Sequence, residues 1–259
     1  MREFGCFVGK QFICALFPLF IFGCAILTAH WTPIPRYDLL LGLCILAQVA
    51  LIWTKLETML ELKMICAFHL AGLMLELFKV RHGSWTYPGE AYTKLLGVPL
   101  FSGFMYASIA SYMIQAWRRF DLRFSGFPKW SAIIVIGLGI YANFFLSKYI
   151  GDRRVFIAPL VLVVFRHTWV HFRPSFEESG PHRRMPMSVA FVLIGFFVWI
   201  AEHICTYLRI WQYPNQVLGW QPVTLGKLGS WCLLVIVSFL LVANTKRETL
   251  LASRQGTLP

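Results

Sequence analysis

An all-α, polytopic transmembrane bundle is the fold class this sequence predicts, on three observations. The 259 residues are 58% hydrophobic and only 14% charged, with a mean hydropathy of +0.63, whereas a soluble domain carries roughly a quarter charged residues. The apolar residues fall into runs of around 20, the length a helix rising about 1.5 Å per residue needs to cross roughly 30 Å of hydrocarbon. No period-2 barrel pattern appears, and lipid leaves no partner for open backbone, so the runs must be helices.

About eight spans are expected, at 11–29, 38–55, 58–79, 98–117, 130–148, 154–172, 187–209 and 226–244. The first could be taken for a signal peptide, and Ile21-Phe22-Gly23-Cys24 faintly resembles a lipoprotein cleavage site. It continues through Ala25-Ile26-Leu27-Thr28-Ala29 and is followed by more spans, so it is kept as the first helix. Charged breaks separate the others: Arg36 before the second, Lys55 before the third, Lys79 to Lys94 before the fourth and Arg118 to Lys129 before the fifth. Lys148 to Arg154, Arg166 to Arg184 and Arg209 to Lys227 mark the remaining three boundaries.

The net charge of +12, from 24 Lys and Arg against 12 Asp and Glu, belongs to cytoplasmic loops in a chain of this kind and implies membrane lipids as partners, with no nucleic acid. The basic N-terminus, the alternate loops and Lys246, Arg247 and Arg254 place both termini in the cytoplasm. Nine basic residues remain on the outer side (Arg36, Lys79, Arg81, Lys94, Lys148, Arg153, Arg154, Arg209 and Lys227), more than passive loops need. Seven cysteines are scattered singly with no Cys-x-x-Cys pair, and as small hydrophobes they are expected reduced and structural.

A self-match organises the chain. Glu76 is followed nine residues later by Trp85-Thr86-Tyr87-Pro88, and Glu202 nine residues later by Trp211-Gln212-Tyr213-Pro214, an offset of 126 at all four shared positions. Each then runs through a Leu-Gly, Leu96-Gly97 and Leu218-Gly219, toward a proline and the next span. This spacing argues for duplication of a four-helix unit, with parallel repeats at 1–126 and 127–259 in one membrane domain. The alternative is an interfacial belt of Trp and Tyr with Pro ending a helix, which accounts for the residue types but not for the spacing.

The chemistry sits on the same segments. A carboxylate within Ala71 to Phe78 would cost at least about 2.5 kcal/mol to insert, so Glu76 is either protonated or paired. His69, Gly72, Glu76 and Lys79 form one helical stripe, with Gly72 permitting close approach; Trp199, Glu202, Thr206 and Arg209 form its counterpart, with His203 beside it. The stripes either meet in one polar site, or simply satisfy themselves as Glu76 with Lys79 and Glu202 with Arg209. His167 and His171 stand i, i+4 on the sixth helix, with His182, Glu177 and Glu178 following. Without a second His pair or a Glu-x-x-His motif, no metal is expected there. The loop from Glu177 to Met187 reads as a solvated cytoplasmic segment touching anionic headgroups. No phosphate loop, dinucleotide fingerprint, nucleophile elbow or His-Glu-x-x-His occurs, which argues against ATP-driven transport and serine hydrolysis.

His69 through Glu76, Trp85-Thr86-Tyr87-Pro88-Gly89-Glu90-Ala91-Tyr92 and Leu96 to Tyr106 resemble a bacterial family of YoaT-like integral membrane proteins of unknown function, over nearly the whole chain. The resemblance implies a polytopic protein of the bacterial inner (cytoplasmic) membrane with no assigned activity or cofactor. More distantly, His69, Glu76, Tyr87 and Gly97-Val98-Pro99-Leu100 resemble carotenoid-biosynthesis hydratases and lycopene-cyclase-type proteins, although Trp85-Thr86-Tyr87-Pro88 stands where those carry Pro-Phe-Gly-x-Tyr. Two functions follow as expectations. In the first, Glu76 and Glu202 are acid and base on an isoprenoid or other hydrophobic substrate, His69 and His203 orient them, and Trp85, Tyr87, Trp211, Tyr213, Lys79 and Arg209 contact the substrate. In the second, the same carboxyls couple protons to solute movement and the outer basic residues attract an anion.

Overall fold

Pro18 shapes the first membrane segment. It has no N–H for the Cys14 carbonyl and its ring crowds that oxygen, so the run becomes two helices, α1 (Arg2–Cys14) and α2 (Leu16–Leu27), bent by 65°. The computed structural model describes residues 2–30 and 33–245, with Lys148 described by its backbone alone. Lys246, Arg247 and Arg254, which entered the orientation argument, lie outside the described residues.

The chain continues through α3 (Arg36–Trp53), α4 (Met59–Arg81), the short strands β1 (Lys94–Leu95) and β2 (Val98–Pro99), α5 (Ser102–Arg119) and β3 (Arg123–Ser125). It then forms α6 (Trp130–Ile150), α7 (Arg154–Phe165), β4 (Trp169–Phe172), β5 (Arg183–Pro186), α8 (Met187–Tyr207) and α9 (Gly226–Thr245). The described residues are thus mostly helical. Four helices, α3, α6, α8 and α9, are long and apolar enough to cross a membrane, and the bent α1 and α2 pair makes a fifth if it acts as one span. Their outward apolar side chains, among them Leu46 and Val49 on α3, Leu138 on α6 and Phe197 on α8, are exposed in the way lipid tolerates and water does not.

The other expected spans depart for identifiable reasons. α4 has the length but carries Glu61, Lys63, Glu76, Lys79 and Arg81, and α5 buries Ser102, Ser108, Ser111 and Gln115. α7 has only 12 residues, about 18 Å of rise. The expected span 154–172 is corrected beyond Phe165. Trp169–Phe172 is a strand whose backbone is paired on both sides, with Arg123–Ser125 and with Arg183–Pro186. The segment expected as a solvated loop therefore contributes β5, and the chain is not purely helical.

Contacts divide the chain into two compact units, each assembled from separated stretches. One comprises residues up to Lys10, Ala116–Ile200 and the chain from Thr224. Its core is aromatic: Phe124, Phe127, Phe165 and Phe191 surround Phe239 and one another, and Trp117 stacks on Phe239 at 6.0 Å. Gly195 lets α8 approach α9, since a Cβ there would lie 2.6 Å from the Cys232 sulfur. The buried Lys10 ammonium closes the sheet end by donating to the carbonyls of Arg119 (2.8 Å) and Arg173 (2.9 Å).

The other unit comprises Gln11–Gln115 and Ala201–Val223 and contains both sequence-predicted carboxyls. A capping box starts α4: Glu61 N–H donates to the Thr58 hydroxyl, and Thr58 N–H donates to the Glu61 carboxylate at 2.8 Å. Asp38 fixes the loop before α5 by accepting from the backbone N–H groups of Tyr92 (2.8 Å) and Thr93 (2.9 Å). Arg36 donates to the carbonyls of Ala25 and Leu208, and Lys94 to that of Tyr87. Arg36 and Lys94 thus have a structural use in holding backbone carbonyls.

Candidate functional site: a pair of buried carboxyls

Glu76 emerges on the face of α4 that α5 covers, because two glycines remove the side chains that would hold the helices apart. A Cβ on Gly72 would lie 2.5 Å from the Tyr106 ring, and one on Gly103 would lie 2.8 Å from the His69 imidazole. The Tyr106 ring fills the space over Gly72 and its hydroxyl donates to Glu76 Oε1 at 2.8 Å. From the loop beyond α4, Trp85 Nε1 and the Tyr87 hydroxyl both donate to Glu76 Oε2, at 2.7 and 2.8 Å. Glu76 is 3% exposed, and its partners are three neutral donors. The alternative pairing with Lys79 does not form; the Lys79 ammonium lies 6.0 Å from the Phe78 ring centre.

Glu202, 1% exposed on α8, accepts from the Tyr213 hydroxyl. Trp211, two residues before Tyr213, is buried as well. Burial first, and then the neighbouring carboxyl, push the Tyr87 and Tyr213 phenols well above their ordinary range, so both remain donors. Arg209 follows α8 in the left-handed region, at φ 54°, exposed and without an ion pair to Glu202.

The two motifs meet through their backbones. Thr86 N–H donates to the Gln212 carbonyl at 2.9 Å and Gln212 N–H donates to the Thr86 carbonyl at 2.8 Å, an antiparallel bridge between positions exactly one offset of 126 apart. The Trp85 and Tyr213 rings meet edge to face at 6.1 Å, each bonded to its own carboxyl, Glu76 and Glu202. The predicted residues Glu76, Glu202, Trp85, Tyr87, Trp211 and Tyr213 are therefore gathered in one region.

His69, His167 and His171 are placed differently from expectation. His69 packs edge-on against Phe104, 4.5 Å between ring centres, and makes no hydrogen bond to either carboxyl. The orienting groups are instead Trp85, Tyr87 and Tyr106. The His203 carbonyl accepts from Thr206 Oγ1 at 3.1 Å, and its ring stands 6.5 Å from Trp220. His167 and His171 no longer share a helical face: His167 is in a turn beside Arg166, and His171 is in β4, bonded to Ser125 Oγ at 2.8 Å. No metal-binding cluster occurs among the described residues.

Sequence reasoning missed Tyr106, although Gly72 signalled that something approaches α4 closely. It also missed Glu57, a third carboxyl in the same unit, 3% exposed and accepting from Gln48 Nε2 (2.5 Å) and from Ser111 Oγ.

Apolar helices of membrane-spanning length, with carboxyls enclosed by phenols and indoles, define a helical membrane protein with a polar site in its apolar interior. The chain belongs to the family described as a protein of unknown function (DUF817), whose profile matches residues 3–239. It is similar to the uncharacterized protein YoaT of Bacillus subtilis (strain 168), with 49% identity over 241 residues that cover 92% of this chain and 89% of that protein. No solved structure matches it.

Proposed function

We propose that this protein is a membrane enzyme carrying out acid-base chemistry, of the hydration or cyclisation type, on an isoprenoid or other lipid-soluble substrate. The observation that carries this is the Glu76 cluster: a carboxyl removed from water, positioned by three neutral donors and linked to a second carboxyl through the Trp85 and Tyr213 rings. A protonated Glu76 gives its proton to an alkene carbon, leaving a carbocation that the faces of Trp85, Tyr87 and Tyr213 stabilise. Glu202 then takes a proton, either from the water that adds to the cation or from the adjacent carbon when a new double bond forms. The distant likeness to carotenoid-biosynthesis enzymes supports this substrate class through His69, Glu76, Tyr87 and Gly97 to Leu100 alone.

The setting proposed with it is the bacterial inner membrane with both termini cytoplasmic, supported by the distribution of Lys and Arg. Duplication of a four-helix unit is part of the same proposal, supported by the shared offset and by the Thr86 and Gln212 bridge. The test is mass spectrometry of the organic extract that co-purifies with wild type and with Glu76→Gln, from cells with and without the gene. An isoprenoid whose chemical form changes with the mutation supports catalysis. A mutation-sensitive lipid that stays chemically unaltered overturns catalysis in favour of carriage.

A further inference from the structure

Residues 118–129 and 166–187 carry eight Arg and Lys against three Asp and Glu, and they meet in the sheet of β3, β4 and β5. Alternation along the strands sorts its two faces. Phe124 and Val170 turn inward and are buried, while Arg123 and Ser125, Trp169 and His171, and Arg184 and Pro186 share the opposite face. The register sets Arg123, His171 and Arg184 side by side in one row across the three strands. Arg123 and Arg184 are exposed, so the row is open to a ligand.

A row of cationic side chains on one sheet face repels itself, and the groups around it relieve the repulsion only in part. Burial first, and then Arg184 and His182, hold the His171 imidazole below its ordinary range, so it stands neutral between the two guanidinium groups and bonds Ser125 Oγ at 2.8 Å. Glu3 is taken by Arg183 at 2.7 Å and Glu177 by Arg2 at 3.3 Å. Asp121 Oδ2 is shared among Arg123 at 3.3 Å, Arg173 and His182. The Arg123 contact is an exposed pair of the weak kind, which a better anion displaces. Arg184 has no carboxylate partner among the described residues. Its guanidinium lies 4.9 Å from the Trp169 ring centre, and a stacked guanidinium keeps its N–H edge for two-pronged binding of a phosphate.

The position of the face selects the source of that phosphate. Met187, the first residue of α8, donates its N–H to the Thr168 carbonyl at 2.9 Å, and four residues join β3 to α6. Both helices are long and apolar enough to cross a membrane, and both begin at the sheet. The row therefore stands at the edge of the hydrocarbon, the depth of lipid headgroups and the usual level for a tryptophan such as Trp169. We propose that the sheet face of Arg123, His171 and Arg184 binds the phosphodiester of an anionic phospholipid, with the two guanidinium groups donating to its oxygens across His171.

The test is native mass spectrometry of the purified full-length protein in detergent, titrated with dioleoylphosphatidylglycerol and with dioleoylphosphatidylcholine. Wild type should prefer the anionic lipid, and Arg123→Gln and Arg184→Gln should each cut that preference about 5-fold, the worth of one arginine at an anionic surface. Arg184→Lys, which keeps the charge and loses the two-pronged geometry, should fall between wild type and Arg184→Gln. Arg81→Gln removes an exposed charge from the other unit and should leave the preference unchanged. Equal binding of the two lipids by wild type overturns the proposal. So does a loss in Arg81→Gln as large as that in Arg184→Gln, which would make the preference a matter of net charge alone. Displacement of the lipid by soluble glycerol phosphate at the same concentration also overturns it, by making the face a site for a soluble phosphate ester.

Discussion

Replacing Glu76 by Leu and by Gln separates the worth of the hydrogen-bond cluster from the worth of the ionisable carboxyl. The carboxyl accepts from Trp85, Tyr87 and Tyr106 at 2.7 to 2.8 Å. Gln keeps a carbonyl for Trp85 and Tyr87 and turns its amide N–H toward the Tyr106 oxygen, which accepts once its hydroxyl rotates. Three hydrogen bonds then remain. Leu fills a similar volume but strands all three donors in a dry interior. At about 1 kcal/mol net for each lost bond, Glu76→Leu should be about 3 kcal/mol less stable than Glu76→Gln, although both lose the same carboxyl. Unfolding of the purified protein in mixed micelles of rising SDS fraction, followed by circular dichroism, gives the difference. Adding Tyr106→Phe should cost clearly less in the Leu background than in wild type, because its hydroxyl is already unpaired there. Leu and Gln variants of equal stability would refute the reasoning.

Two further outcomes follow from the geometry. Gly72→Ala places a Cβ 2.5 Å from the Tyr106 ring, so it should cost about 1 to 3 kcal/mol by overpacking and weaken the Tyr106 to Glu76 bond, read as a loss of stability that Tyr106→Phe no longer adds to. Asp152, between α6 and α7, has its carboxyl held down to about 2, first by the hydrogen bond from Arg154, whose guanidinium also pairs with it. A depressed carboxyl stabilises the fold above its ordinary value of 3.8 and loses that contribution as pH falls toward 2. Unscreened, the shift corresponds to about 2.4 kcal/mol; with the side chain 42% exposed, about 1 kcal/mol is expected. Asp152→Asn should therefore be less stable than wild type by that amount at neutral pH and indistinguishable from it near pH 2, as measured by denaturation across the range.

The sequence disclosed whatever depended on composition along a single segment. The runs at 38–55, 130–148, 187–209 and 226–244 are helices of membrane-spanning length because their apolar content leaves them little alternative. Glu76 and Glu202 stood out because a carboxyl in an apolar run must be accommodated. Features that depend on distant partners were not legible. Trp169–Phe172 has the hydropathy of either a helix or a strand, and its state is decided by Arg123–Ser125 and Arg183–Pro186, 44 residues before and 11 after. The helical His167 and His171 pair fell with it. Tyr106 looked like any tyrosine in an apolar helix until its ring was found over Gly72, and Glu57 looked like a loop charge beside Lys55. The bridge between Thr86 and Gln212 is made by backbone atoms, which leave no mark on residue type.

The claim on which the rest depends is that Glu76 and Glu202 act as one site. A double-mutant cycle on Glu76→Gln, Glu202→Gln and the double variant, read by unfolding of the purified protein in mixed micelles, tests it directly, because residues in one hydrogen-bonded cluster couple and independent ones add. One shared site predicts a coupling of at least about 0.5 kcal/mol. Losses that add within about 0.3 kcal/mol would contradict it.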